Sequence, residues 1–194
     1  MSRDRTLKFI AFMAREIPGF GIAYKDDPPE SMRLRDRCLH WLARRVNSDY
    51  DQRYTTVLYP IIYLPSGTRR SFEEAPEKYY TTLRHEFVHL KDFQRYHIWM
   101  AFSYVFVLPV GWTMRAFWEL RGYAQNLICW QEDYGRVPDS EVERLADIFS
   151  GRGYVYMLLP RSWAHSVLKS LQRSVEEGRL SGVYPYGDLD WPLE

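Results

Sequence analysis

Apolar residues near the N-terminus recur at helical spacing. Leu7, Ile10, Ala11 and Ala14 lie at i, i+3, i+4 and i+7, which predicts a helix over 5–16 with these four on its buried face. Pro18-Gly19 stops it, and Phe20–Tyr24 reads as a short strand before the turn Asp26-Asp27-Pro28-Pro29. Ser31 can cap a second helix running to about Val46. Leu34, Cys38, Leu42 and Val46 fall on one face of it, and Arg33, Arg37, Arg44 and Arg45 on the other. Thr55–Leu64, TTVLYPIIYL, is dense in β-branched and aromatic residues and ends at Pro65-Ser66-Gly67. It reads as one strand. Pro60 has no N–H to give a ladder, so the strand is expected at a sheet edge or on a bulge.

The remaining pattern is helical. Ala75-Pro76 opens a long helix over about 76–96, with proline in the first turn. Further helices are predicted over about 113–130, 140–150 and 162–177. Asp139 or Ser140 can cap the second of these, with Glu143 completing a capping box from Ser140. The tail 183–194 is rich in proline, glycine and aromatics and reads as a loop packed on the surface. The expected fold class is α+β, mostly helical with a small mixed sheet. One domain is expected over 1–194, with a core at about 55–130 and a helical C-terminal part at about 131–182.

Two apolar stretches bear on membranes. At the N-terminus Lys8 interrupts the run and Arg15-Glu16 ends it, so no signal peptide is expected. Ile98–Met114 has 17 residues and no charge, at the lower edge of what spans a bilayer, and Pro109 and Gly111 interrupt it. A buried core segment is the favoured expectation. Membrane contact through Trp99, Tyr104 and Trp112 is the other.

Charge and cysteines narrow the partners. Lys and Arg number 26 against 25 Asp and Glu, so there is no basic excess of the kind a nucleic-acid partner requires. The arginine run of the second helix is therefore expected to be a solvated face. Cys38 and Cys129 have neither scaffold nor metal-ligand spacing. Both are expected as reduced, buried thiols, which suits a cytoplasmic protein.

The chemistry concentrates in the long helix, at His85-Glu86-Phe87-Val88-His89. This is H-E-x-x-H. Residues four apart share a helix face, so two imidazoles can aim at one metal ion. Glu86, beside the first of them, is then placed to take a proton from water and pass it to a leaving amine. Phe87, Val88, Leu83 and Leu90 turn toward the core. The bland alternative is a pair of surface histidines beside an ordinary glutamate.

A catalytic zinc needs a third protein ligand. The extension H-x-x-G-x-x-H fails, because Asp92 and Arg95 stand at its glycine and final-ligand positions. His97 points off the ligand face. Asp92 shares that face and is a candidate to hold the second nitrogen of His89, or else is a solvated carboxylate. Glu119 is the leading third ligand. It follows His89 by 30 residues in a helical, apolar stretch, RAFWELRGYA, where a charge needs a partner. A salt bridge from Glu119 to Arg115 or Arg121 is the alternative.

His85-Glu86-x-x-His89 with a helical Glu119 resembles the gluzincin branch of the zincin metallopeptidases. The local form LRHEFVHLKD followed by RAFWELRGYAQ is similar to compact bacterial and phage-type metallopeptidases of that branch, over residues 55–130. The resemblance implies a zincin-like domain holding one zinc on His85, His89 and Glu119, with Glu86 as general base and acid. It implies a twisted mixed sheet, the motif helix beneath it, and a peptide substrate lying antiparallel to an edge strand at Thr55–Leu64. It also implies a Tyr, His or Arg at the oxyanion, for which Tyr123, Tyr154, Tyr156 and His165 are candidates. A second carboxylate close after the glutamate ligand is not matched, since Tyr123 stands there. Two other classes remain open on sequence: a catalytically silent metal-binding domain acting in protein interaction, and a membrane-associated peptidase inserting 98–114.

Overall fold

The computed structural model describes residues 2–29, 32, 34–46, 48–97, 99–100, 103, 114–151 and 159–186. The described residues are mostly helical, with a three-stranded mixed sheet, as the α+β expectation requires. Two compact units are present, Met1–Glu86 and Phe87–Glu194. The division falls inside one continuous helix, α5 (Tyr80–Tyr96).

The first unit opens with α1 (Arg3–Glu16). Ser2 caps it, its side-chain oxygen accepting from the Arg5 N–H at 3.3 Å. Its buried residues are Thr6, Phe9 and Met13, while Leu7 is exposed. The inward face is therefore rotated by one residue from the expected one. Phe9 and Met13 offer more apolar area than Ala11 and Ala14, so burying them releases more water. Gly19, with φ +76°, turns the chain into β1 (Gly21–Tyr24).

The expected strand over Thr55–Leu64 is two strands. β2 (Thr56–Leu58) and β3 (Ile61–Leu64) pair antiparallel in the register Thr56↔Tyr63, Val57↔Ile62, Leu58↔Ile61. Tyr59-Pro60, a cis bond, occupies the two-residue reversal between them. Proline cannot donate inside a ladder, and here it sits where no ladder bond is needed. β3 is central and pairs parallel with β1, with Gly21 opposite Ile61. A Cβ on Gly21 would meet Ile61 Cδ1 at 3.0 Å, the tip of a side chain that would have to give by a few tenths of an ångström. Ile62, Tyr63 and Leu64 are almost wholly buried.

α2 (Leu34–Val46) also departs from expectation. Leu34, Cys38 and Leu42 are exposed, and among the described side chains of this helix Asp36 and His40 are buried, while Ser31, Arg33 and the Val46 side chain lie outside the described residues. Cys38 is therefore not a buried thiol, whereas Cys129 is. Arg37, Arg44 and Arg45 are exposed as expected. Two short helices, α3 (Tyr50–Arg53) and α4 (Arg69–Glu74), carry no clear periodicity. The Arg3 guanidinium donates to the carbonyls of Glu73 and Glu74, tying α4 to α1. Pro76 starts a 3₁₀ turn, Pro76–Tyr79, which runs into α5.

The second unit is a helical stack. It contains α6 (Met114–Tyr134), α7 (Asp139–Ser150) and α8 (Arg161–Glu176). Leu127, Ile128, Val142, Leu145, Phe149 and Leu168 anchor its core. No side chain caps α7, which starts at Asp139 after Pro138. The expected capping box from Ser140 is thus absent. Glu143 instead pairs with Arg161 and His165 on α8, at 2.6 and 2.9 Å. Of the expected surface tail 183–194, residues 187–194 lie outside the described residues, and the described part is less superficial than expected. Tyr186 is 3% exposed, its hydroxyl donating to the Arg121 carbonyl at 3.3 Å and its own carbonyl accepting from Arg95 at 3.2 Å.

Most of the apolar run 98–114 lies outside the described residues. Of those described, Trp99 is exposed, Met100 is buried, and Ser103 Oγ accepts from the Trp118 indole at 3.0 Å. Among the described residues no helix is long and apolar enough to cross a membrane.

Candidate metal centre

α5 presents His85 and His89 one turn apart. Both are buried, at 7% and 5% exposure. Leu83, Phe87, Val88 and Leu90 are buried too, so packing fixes the rotation of this helix and with it the direction of the histidine face. Glu119 comes from α6, whose stretch Trp118–Gln125 is buried on every side. Three of those residues are strongly polar, and each lies against a specific group. The Gln125 amide donates to the Gly182 carbonyl at 3.2 Å. Arg121 grips Asp92 with two hydrogen bonds, 2.9 and 2.6 Å. The Glu119 Oε2 lies 4.0 Å from His89 Nε2.

One ligand atom from each of His85, His89 and Glu119 falls within 4.8 Å of the other two. Around a tetrahedral ion with bonds of about 2.1 Å, neighbouring ligand atoms stand about 3.4 Å apart. The 4.0 Å His89–Glu119 separation exceeds a hydrogen bond and is close to that tetrahedral edge. Closing the triangle moves each ligand by less than about 1 Å, within reach of side-chain rotation. Two imidazoles and a carboxylate form a donor set that suits a borderline divalent ion. These three residues thus form a possible metal-binding triad. Glu86 lies beside them in sequence and is 8% exposed.

Asp92 is neither a carboxylate on His89 nor a solvated one. It is fully buried and holds Arg121, and the Tyr184 hydroxyl donates to its Oδ1 at 2.8 Å. Burial pushes the Asp92 carboxyl above its usual range, against the opposing pull of Arg121 and Tyr184. This pairing also takes Arg121 away from Glu119. The Arg121 guanidinium lies 4.0 Å from the centre of the Tyr186 ring, a cation–π contact. No spacing rule links Asp92 to Arg121 and Tyr184, so the network was not legible in the sequence.

Lys25, another buried polar group, was also not singled out. Its ammonium donates to the carbonyls of Tyr50 and Tyr54, both at 2.7 Å, and sits 3.4 Å from the Tyr50 ring centre. Burial lowers its pKa to about 8, while the charges of Asp51 and Glu86 favour the ammonium. Nothing in the sequence around Lys25 marks it, because all its partners are backbone or distant residues.

The oxyanion candidates scatter. Tyr123 is 7% exposed and packs edge-on against Phe149 at 5.5 Å, inside the core of the second unit. His165 pairs with Glu143 on the helix surface. Tyr154 and Tyr156 lie outside the described residues. His97 ends α5 with φ 49°, in the left-handed region. Comparison of the chain with protein-family models, with curated proteins and with solved structures finds no match. No family is thereby shown for the chain, and what bears on the expected metal centre is the cluster of His85, His89 and Glu119.

Proposed function

We propose that the protein is a zinc-dependent metallopeptidase. The observation that carries this reading is the convergence of His85, His89 and Glu119 from two helices, with their ligand atoms within 4.8 Å of one another. In this reading the two imidazoles and the Glu119 carboxylate hold one ion per chain. When bound, zinc polarises a carbonyl oxygen and lowers the pKa of water toward about 7. Glu86 accepts the proton as water attacks the peptide carbonyl. The same carboxyl then delivers it to the departing nitrogen. The burial of Glu86 keeps bulk water from competing for that proton. Ligand type favours zinc, and the same set also accepts cobalt, manganese or nickel.

The test is digestion of a mixed peptide library by the zinc-loaded wild-type protein and by Glu86→Gln. The expected outcome is cleavage by wild type and a loss of about 10²–10⁴ in rate in the variant, with metal retained. Cleavage by the variant at the wild-type rate contradicts the role of Glu86. A second reading, a silent metal-binding domain, draws on the burial of all four residues below 9% exposure. Metal retention with no cleavage of any library peptide by wild type supports that reading instead.

A further inference from the structure

Two successive side-chain rungs cross from α5 to α6. The first is His89 Nε2 to Glu119 Oε2, at 4.0 Å. The second is Asp92 to Arg121, three residues on in α5 and two residues on in α6, with hydrogen bonds of 2.9 and 2.6 Å. Residues from the far end of the chain lock this second rung. The Tyr184 hydroxyl donates to Asp92 Oδ1 at 2.8 Å and accepts from Arg121 Nη2 at 3.2 Å. Asp92, Arg121 and Tyr184 therefore close a triangle of hydrogen bonds. The Tyr186 ring centre lies 4.0 Å from the guanidinium, and its hydroxyl donates to the Arg121 carbonyl at 3.3 Å. Arg95 on α5 donates to the Tyr186 carbonyl, and Gln125 on α6 donates to the Gly182 carbonyl, both at 3.2 Å. The segment 182–186 is thus bonded to both helices, and all of these groups belong to the second unit.

Stability alone does not account for this arrangement. A buried ion pair gives little net stability over apolar side chains of the same volume, because both charges lose their water. The neighbouring core residues Val88, Ala116, Leu120 and Tyr123 are apolar or aromatic. Apolar attraction is non-directional and holds the register of one helix against another only loosely. The fork of Arg121 on Asp92 has one geometry, so it does fix that register. A metal ion needs this, since its ligand atoms must stand about 2.1 Å from it.

We infer that the Asp92–Arg121–Tyr184 triangle is a positioning device for the metal triad, and that it couples metal binding to the docking of segment 182–186. This rests on the metal centre of the proposed function and adds a means of regulating it. Whatever draws the segment off α5 and α6 loosens the ion. By linkage, the bound ion holds the segment down by the same factor.

The test is the zinc affinity of the full chain, by competition with a chromophoric chelator, for wild type, Tyr184→Phe and D92A/R121M. Tyr184→Phe deletes one hydroxyl and keeps the ring. D92A/R121M removes both charges together, so neither is left buried alone. Each should weaken zinc binding about 10–100-fold while circular dichroism stays that of wild type. The visible spectrum of the cobalt-loaded variants should shift as well, which a less stable protein with an intact centre does not show. In wild type, zinc should slow chymotryptic cleavage after Tyr186 under conditions where the rest of the chain stays whole. Wild-type zinc affinity and cobalt spectrum in both variants overturn the inference, and so does cleavage after Tyr186 that zinc leaves unchanged. A wild-type protein that binds no zinc is a different result: it overturns the metal centre itself, and the inference with it.

Discussion

His40 shows how a single residue's surroundings set a measurable property. Burial lowers its pKa to about 4, and the charges of Lys25 and Arg44 push in the same direction. The unfolded chain keeps the ordinary value of about 6.5. Between these values the unfolded state binds a proton that the folded state refuses, so stability is lost as pH falls from about 6.5 toward 4. Allowing for solvent screening, the decline is roughly 2 kcal/mol. Urea unfolding at a series of pH values should show it, and His40→Gln should flatten the slope. An unchanged slope in the variant contradicts the assignment. At the same scale, HExxH was legible because four-residue spacing maps directly onto a helix face. The Lys25 and Asp92 contacts were not, because their partners are set by the fold and not by local spacing.

Elements were legible where one strong period dominates. α5 carries buried residues on its core side and histidines on another, and its C-terminal boundary falls where expected. The face of α1 was misplaced because Phe9 and Met13 outweigh two alanines of equal periodicity. The hairpin of β2 and β3 was missed because Pro60 was given to a strand edge when it occupies a turn. α2 misled for a different reason: its apolar stripe is real but faces outward. Asp92–Arg121 is a polar tie between α5 and α6 in the second unit, buried at 0% and 3% exposure. Removing one partner leaves a charge without its counterion in a low-dielectric interior. Asp92→Ala should therefore destabilise the protein by about 3–5 kcal/mol. Thermal unfolding measures this, with the double variant D92A/R121M expected to recover part of the loss. A variant as stable as wild type contradicts the pairing.

Across the whole molecule, the tail belongs to the same structure that orients Glu119. Gly182, Tyr184 and Tyr186 contact Gln125, Asp92, Arg121 and Arg95. Ending the chain after Ser181 removes these contacts and should lower the unfolding temperature by several degrees, about 2–4 °C per kcal/mol lost. An unchanged melting temperature shows that the tail is dispensable. The possible metal-binding triad joins residues that are far apart in sequence and legible only as a motif plus one carboxylate. Its direct test is elemental mass spectrometry on untagged protein loaded with zinc and freed of excess, for wild type and Glu119→Ala. About one zinc per chain in wild type, falling sharply in the variant, is the predicted result. A wild-type protein that retains no metal contradicts the triad, and the H-E-x-x-H spacing is then a coincidence on a helix.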